Sequence, residues 1–112
     1  MNENEVKLTA IAALTATRAG AGDDYVSDLL GEAIPTRFQV PADATAAEAG
    51  GAVLEQLSEP LSALVNGFLM AFEALADAHD GTDPPQTSAQ ILQQLALTLS
   101  LEDPEDPGVT RT

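Results

Sequence analysis

The chain has no cysteine and no tryptophan, few aromatics, and only four basic residues against 18 carboxylates in 112 positions. Each shortage removes a class of function. Without cysteine there is no disulfide framework, no thiolate nucleophile and no cysteine-type zinc site. From Phe38 to Thr110 there is no Lys or Arg. Binding to nucleic acid depends on cations that displace counterions from phosphates, so the expectation is no nucleic-acid partner. Anionic membrane surfaces are disfavoured for the same reason. The longest uncharged apolar run, Leu61 to Phe72, is shorter than the roughly 20 residues a helix needs to cross a bilayer, and no membrane association is expected. The start, Met1-Asn-Glu-Asn-Glu, is acidic where an export signal is basic, so the expected location is cytoplasmic.

What the chain has is alanine, leucine and acid. The hydrophobic fraction, 45%, suits a globular fold, and it is made of helix formers more than of β-branched residues. The expected fold is all-α: a small bundle of four to five helices in a single domain over residues 1–101, followed by a disordered acidic tail over 102–112. The net charge of −14 also suits a salt-adapted or GC-rich host, in which case part of it reflects composition more than function.

The first helix is expected over Glu3 to Ala19, with Leu8, Ile11, Ala12 and Leu14 or Thr15 on one side and Gly20-Ala-Gly22 ending it. A second, capped by Asp23 or Asp24 and closed by Pro35, carries Tyr25, Val26, Leu29, Leu30, Ala33 and Ile34 as a buried stripe. Residues 36–40 read as an extended connector with Phe38 and Val40 tucked under the helices. Thr45 and Glu48 have the spacing of a capping box for a third helix through Val53, Leu54 and Leu57, in which Gly50-Gly51 is a weak point. Ser58-Glu-Pro60 allows either a fresh N-terminus or a kink in one long helix, and a break with a short turn is expected.

The fourth helix, Glu59 to His79, has the strongest pattern. Leu61, Leu64, Val65, Phe68, Leu69, Phe72, Leu75 and Ala76 form one wide apolar face, expected to be the core. Ala63, Gly67, Ala71 and Ala74 or Ala78 form a second line of small residues that would let another helix approach closely. Gly81 ends the helix, Asp83-Pro-Pro85 enforces a loop, and Thr87 or Ser88 caps the last element. That element, Ala89 to Leu101, has no charge and reads either as a helix or, through Leu95, Leu97, Leu99 and Leu101, as a strand of period two. The helix is expected, because Leu, Ala and Gln are good helix formers and no partner strand is evident.

Residues with chemical potential are sparse. Asp77, His79, Asp80 and Asp83 crowd one helix end, but setting Gly81 at the required glycine of a calcium loop puts Ala76, Ala78 and Thr87 where carboxylates belong. His79 is the sole histidine and no Gly-x-Ser-x-Gly elbow accompanies it. Ser27, followed by Asp28, departs from the Gly-Asp-Ser-Leu-like signature of the acyl carrier proteins. The absence of Trp departs from the Trp-x-Gly turn of small helical secretion substrates. The expectation is therefore a non-enzyme with no cofactor and no bound metal.

Helices with little charge need cover, and a chain this short has few layers to supply it. The expected function is a helical protein–protein interaction module, self-associating or bound to another protein. Ala63, Gly67, Ala71, Leu97 and Leu101 are the candidate interface of a two-fold homo-oligomer. Two alternatives come from other classes. An acidic nucleic-acid mimic would occupy a basic groove on an inhibited protein. A carrier would hold a small apolar ligand against Phe68, Met70, Phe72 and Leu92.

Overall fold

A computed structural model describes residues 1–102. They form four α-helices with no strand among them: α1 (Glu3–Arg18), α2 (Asp23–Gly31), α3 (Ala46–Asp80) and α4 (Ser88–Leu101). Residues 103–112, which hold nearly all of the expected acidic tail, lie outside the described residues. The chain divides into two compact units, Met1–Phe72 and Glu73–Thr112. Whether residues 1–101 behave as one domain is a thermodynamic matter, and a single calorimetric unfolding transition is the outcome the sequence predicts.

α1 starts where local chemistry places it. The Asn2 side chain accepts from the Glu5 amide at 2.8 Å while the Glu5 carboxylate accepts from the Asn2 amide at 2.7 Å, a reciprocal capping box. The helix stops in a Schellman turn: the Ala21 amide donates to the Ala16 carbonyl, that of Gly20 to Thr17, and Gly20 takes the left-handed φ of 92°. α2 is capped by Gly22, whose backbone alone opens the helix; Asp23 and Asp24 sit in the first turn, where their charge still favours the helix dipole. It ends at Gly31, ahead of Pro35, through tight turns from the Glu32, Ala33 and Ile34 amides to the carbonyls three residues back.

The connector after Pro35 is extended, as expected, and Gln56 holds it in place. The Gln56 side-chain amide donates to the Gln39 carbonyl at 2.8 Å and its oxygen accepts from the Gln39 amide at 2.9 Å, as a neighbouring strand would. The same nitrogen also reaches the Ala52 carbonyl, tying the amide to its own helix. Phe38 is half-buried, whereas Val40 is exposed and does not tuck under the helices. Gln56→Ala removes both bonds to Gln39 and leaves the exposed backbone groups of that residue to water. It is expected to cost about 1–2 kcal/mol, read as a lower urea midpoint with an unchanged slope.

The capping box of Thr45 and Glu48 forms as its spacing indicates. The expected break at Pro60 does not: α3 runs 35 residues from Ala46 to Asp80 with Pro60 inside it. Proline leaves the Gln56 carbonyl without its amide partner, but good helix formers on both sides keep the backbone helical across the gap. The final element is the helix α4. Thr87 caps it through a reciprocal box with Gln90.

The core of the first unit is small. Val6, Ala10, Ala33, Ala63 and Leu64 are buried together, with Leu30, Ile34 and Phe68 packed against them. Burying Val6 and Leu64 stabilises by about 1.5–3 kcal/mol each, and the alanines contribute less because they remove little area from water. The sequence expectation for α1 is reversed: Val6, Ala10 and Ala13 form its buried row, while Leu8, Ile11 and Ala12 face outward.

Candidate functional site

The same reversal governs α3. The line of small residues, expected to meet another chain, is where α1 docks: Ala63 and Gly67 are buried. A Cβ added at Gly67 would sit 2.9 Å from both the Ala10 Cβ and the Lys7 Cα. Two helix backbones approach this closely only where side chains are absent or minimal, so the small residues select their partner from within the chain. Ala63 and Gly67 are therefore not free to form an intermolecular contact, and Ala71, further along, is half-buried.

The large-residue face turns outward instead. Leu61, Val65, Leu69 and Phe72, spaced to form one row along α3, are 41%, 55%, 53% and 40% exposed. At its border Leu64 lies in the core and Phe68 packs against it. By length and composition α3 is also apolar enough to cross a membrane, a property that core helices of soluble proteins share.

In the second unit the turn between α3 and α4 is fully explained by its own polar groups. Asp80 accepts from the Ser88 amide and from the Ser88 hydroxyl, both at 2.7 Å, and so caps the first turn of α4 from the preceding helix. His79 places Nε2 2.7 Å from the Gln86 carbonyl; since a carbonyl only accepts, that nitrogen carries the proton. Thr82 donates to the His79 carbonyl, and Asp83 adopts a left-handed φ of 57° ahead of the proline pair. Among the described residues, no group of three or more His, Cys, Asp or Glu side chains is placed to hold a metal ion.

The two bonds from Ser88, with a smaller contribution from the nearby His79, hold the Asp80 carboxyl below the ordinary aspartate value of 3.8. A depressed folded value means that the carboxylate stabilises the turn above that ordinary value and that this support is lost as pH falls through the lower folded value. Asp80→Asn is therefore expected to differ from the parent in helicity at pH 6 and to converge on it in strong acid, as measured by circular dichroism.

α4 itself buries nothing. Its six Leu and Ile residues (Ile91, Leu92, Leu95, Leu97, Leu99 and Leu101) are all exposed, from 43% at Ile91 to 81% at Leu101. Of the residues suggested for an apolar carrier, Met70 and Phe72 in the first unit and Leu92 in the second are exposed, and Phe68 packs on the core of the first unit. A cleft of about 510 Å³ in the first unit is lined by other residues, among them Glu3, Glu32 and Glu59 over Val6, Ala33 and Pro60. No protein-family model matches this chain, and neither a curated protein nor a solved structure is found to be similar to it.

Proposed function

We propose that this chain is a non-enzymatic, cytoplasmic helical module that acts by associating with a second copy of itself. The observation that carries the reading is the reversed burial: α1 and α3 meet through alanine and glycine, and the larger Leu61, Val65, Leu69 and Phe72 are left in contact with water. Exposed apolar rows of this kind mark interaction sites. A core of mostly alanine leaves little stability in reserve, so covering these rows supplies energy that the isolated chain lacks. The reading gives no catalytic role to His79 or Asp80, which are engaged in the turn. It requires no cofactor, and it treats α3 as a protein-covered helix, since Glu73 and Asp77 in the same apolar stretch would be costly within lipid.

The test is the mass in solution by light scattering and sedimentation over a wide concentration range, at low and high salt. A dimer of the 11.6 kDa chain is expected, tightening with salt as repulsion between two chains of charge −14 is screened. A monomer at every concentration and salt overturns the proposal. An acidic mimic behaves oppositely, because its contact with a basic groove weakens as salt rises.

A further inference from the structure

We infer that Asn66-Gly67 is a deamidation site gated by the docking of α1, through which the chain passes irreversibly from a seated to an unseated α1. The reaction consumes water and no other reactant. The Gly67 backbone nitrogen attacks the Asn66 side-chain carbonyl carbon, its proton passes to water, and ammonia leaves to give a five-membered succinimide. Water then opens the ring at either carbonyl. The product is an aspartate or an isoaspartate, with one negative charge more than the parent.

Residue types single out this position. Of the three asparagines, Asn2 and Asn4 are followed by glutamate and Asn66 by glycine. A side chain on the following residue hinders the approach of its nitrogen, and glycine has none. Nor can the glycine be exchanged, because a Cβ at position 67 would lie 2.9 Å from both the Lys7 Cα and the Ala10 Cβ. The packing that seats α1 therefore fixes the reactive half of the pair. The other half, Asn66, is exposed and lines the cleft of the first unit, where water reaches it.

The seated structure holds the reaction back. Ring closure needs the Gly67 nitrogen to eclipse the Asn66 Cβ about the Cα–C bond, and the helical ψ of α3 keeps them apart. The helix also commits the Gly67 amide to the carbonyl one turn back. Lys7 and Ala10 lie over the buried glycine and block the swing of the peptide that attack requires. Local opening of this part of α3, with α1 lifted, removes these restraints together. The isoaspartate product prevents their return. It inserts one more methylene into the main chain and displaces Gly67 from a contact that has no room for an added atom, so α1 loses its seat.

The test follows the peptide containing Asn66 by mass spectrometry after the full chain is held at mildly alkaline pH, in buffer and in guanidinium chloride. Deamidation at Asn66 is expected to run at least about tenfold slower in buffer, in proportion to the open fraction, and in denaturant to outpace Asn2 and Asn4. Equal rates at Asn66 in the two solvents, or no reaction there in denaturant, overturn the proposal. Val6→Ala loosens the buried side of α1 and is expected to speed the reaction in buffer several-fold, whereas Leu8→Ala, on the exposed side, leaves it unchanged. A Val6→Ala chain that reacts no faster than the wild type shows that α3 alone protects Asn66, and overturns gating by α1. The isoaspartyl chain, separated from its parent, is expected to lose helicity and melt earlier, while Asn66→Asp, with the same charge and no added methylene, melts close to the parent. An isoaspartyl chain that melts with its parent overturns the irreversible unseating.

Discussion

Gly67→Leu is expected to unseat α1 and to cost about 3 kcal/mol or more, the upper range for overpacking a closed contact. The neighbours of a new Cβ at this position include the Lys7 Cα at 2.9 Å and the Lys7 carbonyl oxygen at 3.1 Å, so relief requires moving the backbone of another helix. Even Gly67→Ala should be destabilising, although alanine gains about 1 kcal/mol over glycine inside a helix. The same helix provides the control. Nothing lies within 4 Å of a Cβ built at Gly50 or Gly51, so Gly50→Ala and Gly51→Ala should each stabilise by up to about 1 kcal/mol. Thermal melts separate the cases clearly, since 1 kcal/mol moves the midpoint of a domain this size by about 4–8 °C. Equal stabilisation at all three positions would show that α1 does not dock on Gly67.

The second large effect is a gain. Pro60→Ala gives the Gln56 carbonyl an amide partner in the middle of α3 and removes a residue that costs about 3 kcal/mol in a helix interior. Proline returns part of that cost by restricting the unfolded chain, by about 0.4–1 kcal/mol, so a net stabilisation of about 2 kcal/mol is expected. Denaturant unfolding at fixed protein concentration measures it. The concentration must be held because any association shifts apparent stability by mass action. A loss of stability instead would mean that the half-buried proline ring and the helix path it sets are needed to seat the core of the first unit.

Local signals in the sequence were legible where an element depends on residues three or four apart. Thr45 and Glu48 cap α3, Gly20 ends α1 with a left-handed turn, and the neutral segment after Thr87 is a helix. The Asn2–Glu5 box has the same spacing and was equally available to be read. Pro60 misled because a proline's cost is local, whereas the continuity of α3 is settled by the helix on both sides of it. Gln56 carried no signal, because its partner, Gln39, is 17 residues away.

The residues expected from the sequence to form an interface divide along the same line. Leu97 and Leu101 are exposed on α4 among the described residues. Ala63 and Gly67, equally reasonable from their spacing, are covered by α1. Periodicity shows that α1 and α3 each have two apolar faces, one small and one large, but hydrophobic content alone favours burying the large one. The sequence by itself determined that the chain is helical and acidic, because helix propensity, caps and charge act within a few residues. Which faces are hidden was decided only by the tertiary structure, because close packing between two helices depends on the match of two distant surfaces: Ala10 fits against Gly67, and that match leaves the leucines outside.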